Sequence, residues 1–378
     1  MVLLANARMV TPDGVVTGWL ETSGRTIAGI GAGDPPRPAD HDLSGRWLVP
    51  GFVDLHVHGG AGVDFTSGDA VQARRIVELH RRHGTTTTLA SLVTAEVDNL
   101  VAAVGSLTGL VADETLAGIH LEGPFLSPVR AGAHDPGLLI PPEPAVVDQL
   151  VSAGRTGIRM VTLAPELPDG IDAVRRLGAV GTAVAIGHTD ATYEQTRAAI
   201  DAGASVGTHL FNAMRPMHHR DEPGPVPALL EDDRVTVELI CDGVHLHPAA
   251  IRIALRTAGA NRVMLVTDAM AAAGAGDGDY RLGRLAVQVR GGVARLAGDQ
   301  AIAGSTLTMD RAFRFAVDAG ASVAEAVQMS ATTPARVLGM AEQIGSIAVG
   351  RDADLVELDE TFHVHAVMRK GSGLDPAE

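Results

Sequence analysis

Through the first 50 residues, short runs rich in β-branched and apolar side chains (2–10, 15–21 and 26–30) are separated by Pro12-Asp13-Gly14 and Ser23-Gly24-Arg25. Those breaks are turn chemistry, so the pattern predicts antiparallel hairpins. From about residue 51 to 339 the grammar changes. Short apolar runs alternate with stretches whose apolar residues recur at helical spacing, which predicts repeated βα units around a parallel sheet. The runs fall at 53–58, 86–92, 116–122, 158–163, 183–188, 205–209, 235–241 and 263–268. Eight of them predict a closed (β/α)8 TIM-type barrel. Between them, 71–83, 144–153 and 192–202 read as helices followed by Gly84, Gly154 and Gly203, residues suited to C-terminal caps. After Gly339, β grammar returns at 345–350, 353–358 and 362–368. Residues 1–50 and 340–378 are therefore expected to pair in one small β-sandwich domain beside a barrel of residues 51–339. The Gly- and Ala-rich stretch 271–279 is expected to be a mobile loop.

Period-2 alternation in Val53-Asp54-Leu55-His56-Val57-His58 puts His56 and His58 on one face of the first predicted barrel strand. Two neutral imidazoles facing a barrel mouth suit a divalent metal, although a strand with solvated histidines would read the same way. His363-Val364-His365 has the same spacing without acidic or histidine companions, and is read as a surface strand. Four later runs also end in ligand-type or proton-transfer residues: Glu122, His188, His209 and Asp268. Each alone is most simply a cap or a hydrogen-bonded side chain. Five coincident strand ends point instead to one site, because C-terminal strand ends meet at the mouth of a (β/α)8 barrel.

Composition narrows the ligand. A formal charge of -15 argues against nucleic acid, and 3% aromatic residues leave little for base stacking or for a broad glycan groove. A small ligand in a polar pocket fits better. The single cysteine, Cys241, cannot form an intramolecular disulfide, the start lacks a signal-like pattern, and apolar runs fall far short of the roughly 20 residues that span a bilayer. A cytoplasmic protein without membrane partners is expected.

The segments VPGFVDLHVHG, GIHLEGPFLSP, AIGHTDA, GTHLFNAM, CDGVHLHP and LVTDAM resemble those of the N-acetylglucosamine-6-phosphate deacetylases within the amidohydrolase superfamily. The resemblance runs over most of the chain. It implies that Glu122, His188 and His209 bind the principal divalent metal, zinc or iron, and that Asp268 is the catalytic acid and base. His56 and His58 match residues that hold a second ion in some members, so one or two ions per subunit are implied. Ala133, His134, Asn212, Ala213, Asp242 and His245 match substrate-contacting positions, as does the Ile302-Ala303-Gly304 turn. Arg220 matches a phosphate-binding arginine, and the resemblance implies a homodimer in which its loop reaches the partner's site. The substrate implied is a small amino-sugar phosphate carrying a linear amide.

Other readings share parts of this pattern. A deacetylase for N-acetylgalactosamine 6-phosphate or a cyclic-amide hydrolase would use the same metal chemistry, although the latter commonly carries a carboxylated lysine and these strand ends offer none. A non-catalytic scaffold would predict missing ligands, whereas every ligand type is present.

Overall fold

The computed structural model describes residues 1–376. Eight strands run parallel in chain order: Phe52–Asp54, Thr85–Val93, Gly118–Glu122, Ile158–Leu163, Ala183–Ile186, Val206–Gly207, Thr236–Ile240 and Val263–Val266. The last strand returns to the first where Asp268 N–H donates to the His56 carbonyl at 2.8 Å and Val57 bridges Ala269. This seam nearly closes the barrel, as the sequence predicts. Val53, Leu55, Leu89, Met160, Ala185, Val206 and Met264 pack with Ala335, Leu338 and Ile344, so the short helix Thr333–Val337 and the residues after it plug one end. The polar residues collect at the other end.

Helices Ala70–Arg82, Pro144–Gly154 and Tyr193–Asp201 stand where the spacing predicts them. Asp69 accepts N–H bonds from Val71 and Gln72, a cap contributing about 1 kcal/mol. One capping expectation fails. Gly154 ends its helix inside the last turn, and the left-handed residue is Arg155, at φ 52°.

Both chain ends build one eight-stranded sheet, in which Trp47–Pro50 pairs antiparallel with Leu355–Leu358 and so joins the early and late segments. The sheet curls over its own core of Leu4, Met9, Leu20, Ile27, Leu48, Ile347, Leu355 and Met368. Its edge strand Thr26–Ala32 meets the segment that leads into Leu355–Leu358, where Ile27 N–H donates to the Arg351 carbonyl. Residues 377–378, which the expected second domain segment includes, lie outside the described residues. His363 and His365 are exposed on this sheet.

The stretch 271–279 differs from expectation. Ala271, Ala272 and Ala273 are buried, and a strand begins at Gly278. Gly278–Leu282, Leu285–Arg290 and Val293–Leu296 form a three-stranded antiparallel insert, whose Val287 and Val289 pack with Ala271 and Ala272. Packing against the insert turns a loop-like composition into buried structure.

Candidate metal centre and active site

His56 and His58 lie on the first barrel strand's continuation, both essentially buried, with their Nε2 atoms 3.0 Å apart. His58 Nδ1 is 3.2 Å from the Ser91 carbonyl, and His56 Nδ1 is 3.0 Å from Glu238 Oε2. A neutral imidazole that donates through Nδ1 carries its lone pair on Nε2. Both lone pairs therefore face the same point. Glu122, at the end of Gly118–Glu122, brings Oε2 to 3.0 Å from His58 Nε2.

The other oxygen of Glu122 faces a second pair. Oε1 lies 3.0 Å from His209 Nε2 and 3.2 Å from His188 Nε2, and those two nitrogens are 3.0 Å apart. His188 Nδ1 donates to the Arg130 carbonyl at 2.9 Å, which again turns Nε2 inward. Asp268 completes the ring, with Oδ1 3.2 Å from His58 Nε2 and 3.5 Å from His56 Nε2. His188, His209 and Asp268 have φ of 46°, 26° and 49°. Side chains other than glycine rarely adopt such angles, and residues held there cluster at sites where the surroundings fix them.

The charge balance tests whether this cage fits a metal. Burial pushes His56 and His58 toward the neutral form, yet the carboxylates outweigh it: His56 rises well above its ordinary value and His58 to about 9. Conversely, burial would raise Glu122 and Asp268, but His56, His134 and His188 hold Glu122, and His56 and His58 hold Asp268, well below the usual carboxylate range. The cage thus draws positive charge to itself. Imidazole nitrogens and carboxylate oxygens converging on one point are the donor set of a divalent cation. Among the described residues, His56–His58–Glu122 and Glu122–His134–His188 meet that condition, and His209 Nε2 stands as close to Glu122 and His188. The residues present fit a metal.

The cage opens into a cleft of about 490 Å³, lined among others by Ala133, His134, Asn212, Ala213, His245, Ile302 and Gly304. His134 Nε2 reaches Glu122 Oε2 at 3.3 Å while Nδ1 is 2.9 Å from Thr94 Oγ1, and burial lowers it to about 4. It stands close enough to serve the cage as well as a ligand in the cleft. Asp242 does not line the cleft; it accepts His245 Nδ1–H at 2.7 Å and the His245 backbone N–H at 2.8 Å. Ala303 is buried behind the wall, and Gly304, at φ 61°, lets the chain pass where a Cβ would sit 3.0 Å from the Asp268 carbonyl oxygen. Arg220 is exposed and does not line the cleft of its own chain.

Four polar contributors were not anticipated from the sequence. Arg130 lines the cleft but is paired with Asp190 at 2.7 Å. Arg295 and Gln300 come from the three-stranded insert and its following turn, and Arg295 donates to the Gln300 carbonyl. Glu238, buried in Thr236–Ile240, supports the cage from behind. A lone carboxylate in an otherwise apolar run was the available signal for it.

Residues 47–373 match the model of the amidohydrolase family. An N-acetylgalactosamine-6-phosphate deacetylase of Escherichia coli O157:H7 is 40% identical over 378 residues, covering 98% of each chain. An N-acetylglucosamine-6-phosphate deacetylase of Lysinibacillus sphaericus is 39% identical, covering 87% of this chain and 85% of the relative. Among solved structures, an aspartate-to-alanine variant of N-acetyl-D-glucosamine-6-phosphate deacetylase from Mycobacterium smegmatis, in complex with N-acetyl-D-glucosamine-6-phosphate, is 48% identical. It superposes with a TM-score of 0.95 over 98% of each chain.

Proposed function

This chain belongs to the amidohydrolase family, and we propose that it hydrolyses the acetamide of N-acetyl-D-glucosamine 6-phosphate to D-glucosamine 6-phosphate and acetate. The observation that carries the reading is the convergence of Glu122, His188, His209 and Asp268 at one end of the barrel, above a cleft of small-molecule size. The 48% identical structure bound to this sugar phosphate supports the choice of substrate.

In this reading Glu122, His188 and His209 hold the principal ion, zinc or iron, and His56 and His58 a second. A divalent ion there supplies Lewis acidity, lowering the pKa of water towards about 7 and polarising the scissile carbonyl. Asp268 is ionised, so it accepts the proton of the attacking water and returns it to the amine nitrogen as the C–N bond breaks. His245 faces the carbonyl oxygen. Burial lowers its pKa, but the Asp242 carboxylate more than offsets this and raises it, which favours an imidazolium able to donate from Nε2 to the developing oxyanion. Asn212, Ala213, Ala133, His134 and the Ile302–Gly304 turn bound the sugar.

The phosphate falls to Arg220. Its exposure on its own chain suits a homodimer in which the loop carrying it completes the partner's cleft. We place the protein in the cytoplasm, a reducing compartment in keeping with the buried free thiol of Cys241. No helix among the described residues is long and apolar enough to cross a membrane.

A second reading, N-acetylgalactosamine 6-phosphate as substrate, is favoured by the Escherichia coli relative. Acetate release from the two 6-phosphates and from unphosphorylated N-acetylglucosamine, with metal-loaded and chelated enzyme, decides. Metal-dependent release that is fastest from the gluco sugar phosphate supports the proposal. Faster release from the galacto epimer transfers the assignment, and release from none sinks both.

A further inference from the structure

Glu238 is a fully buried carboxylate in the middle of Thr236–Ile240, between the buried residues Val237 and Leu239. Burying an anion costs several kcal/mol unless positive charge or strong donors meet it. The donors that meet it are the His56 Nδ1–H, at 3.0 Å, and the backbone N–H of His209, at 3.0 Å. Both bonds end on Oε2. The other oxygen, Oε1, is buried with no hydrogen-bond partner among the described residues. An apolar residue at this position would pack in the barrel without that cost, so a carboxylate here requires an explanation outside folding.

His56 supplies one. By accepting from Nδ1, Glu238 fixes the tautomer that leaves the Nε2 lone pair pointing at His58, Glu122 and Asp268. A carboxylate behind a ligating imidazole also raises the basicity of the nitrogen in front. His209 supplies the other. Its N–H is held by the same oxygen while its φ of 26° turns the side chain out of the strand toward Glu122 and His188. One carboxylate oxygen therefore ties the two halves of the cage together.

We infer that Glu238 is a positioning residue for the metal centre, whose charge, placed behind His56, strengthens the hold of His56 and His58 on the second ion. Glu238 does not line the cleft and acts only through His56 and His209. The inference rests on the metal-dependent reading given above.

The test uses the full chain, stripped by a chelator and titrated with zinc against a chromogenic competitor, comparing wild type with Glu238→Gln. The amide matches the carboxylate in shape and its oxygen can still accept from Nδ1, so the charge is withdrawn and an NH2 group replaces the unpartnered Oε1. Expected are two ions per wild-type subunit. In Glu238→Gln the first should bind with little change and the second about 10- to 100-fold more weakly, at an unchanged thermal midpoint of the stripped proteins. Two ions bound by the variant with wild-type affinities, or a single ion in the wild type, would overturn the inference. If Glu238→Gln does not fold, Glu238→Asp, which keeps the charge but withdraws it from Nδ1, is read in the same way. Acetate release is followed separately. A wild type that binds two ions but releases no acetate sinks the substrate assignment and leaves the role of Glu238 standing.

Discussion

Asp268 Oδ1 lies 3.2 Å from His58 Nε2, so the proposed proton carrier sits against the second half of the metal cage. Burial alone would protonate Asp268, but His56 and His58 keep it ionised, as a base must be before the reaction starts. Asp268→Asn removes the base and keeps the shape. We expect kcat to fall by about 10²- to 10⁴-fold with KM little changed. Steady-state kinetics together with metal content check this. A loss of less than tenfold in a metal-loaded variant would remove Asp268 from the proton-transfer role.

Arg220 should act on the phosphate and across the dimer. A charge-assisted hydrogen bond contributes about 1.5–3 kcal/mol, so Arg220→Ala should raise KM for the 6-phosphate roughly 10- to 100-fold and leave hydrolysis of the unphosphorylated sugar unchanged. Arg295→Ala is the comparison, because Arg295 lines the cleft of its own chain. If Arg295 alone shows the phosphate-dependent effect, the anion is held within one subunit. Mixed dimers of Arg220→Ala and Asp268→Asn contain one site with both intact residues, provided that Arg220 serves its partner. Recovered activity on mixing would establish the exchange, and its absence from verified mixed dimers would refute it.

Asp354, at the seam between barrel and small sheet, gives a stability prediction independent of catalysis. Burial raises its carboxyl from 3.8 to about 6, although the Lys370 N–H donates to it at 2.6 Å. The folded state thus holds the proton more tightly than the unfolded chain. This group's contribution to stability falls as pH rises from about 4 to about 6, and the penalty is constant above that range. Asp354→Asn keeps an acceptor for Lys370 without the charge. Relative to wild type it should gain on the order of 3 kcal/mol across that window, an upper figure, and nothing below it. Denaturant melts of both proteins from pH 4 to 8 measure the difference. A gap that does not change with pH would show that Asp354 is not buried as a charge.

The eight barrel strands were legible because a strand covered on both faces reads as an apolar run. Their ends were not. The run 205–209 reads as five strand residues, whereas the ladder holds only Val206–Gly207, because His209 turns left-handed to reach Glu122. A propensity pattern cannot register a backbone angle imposed by a contact 87 residues away. The insert was legible and passed over: Leu285–Arg290 alternates, and Arg290-Gly291-Gly292-Val293 is a hairpin signal. Ala271 and Ala272 misled because much of what buries them, Val287 and Val289 among it, lies further along the chain. Glu238 escaped because its meaning depends on His56, 182 residues earlier, and no local motif joins the two.

Gly132 offers a test of how tightly the cage is held. At φ 56° it occupies a conformation that favours glycine, and an added Cβ would lie 3.0 Å from His188 Cε1 and 3.4 Å from its Nδ1. That Nδ1 donates to the carbonyl of Arg130, two residues before Gly132. A methyl group there must move either the loop or the imidazole, and both movements disturb the bond that turns Nε2 toward Glu122. Gly132→Ala should therefore lose metal to a chelator faster than wild type, while the barrel, whose core does not include this loop, keeps its far-ultraviolet circular dichroism. Because a ring displaced by a fraction of an ångström misplaces its lone pair, we expect about a tenfold loss of affinity or more. Unchanged chelation kinetics in Gly132→Ala would mean that the loop yields freely and that His188 is oriented by its own backbone rather than by Arg130.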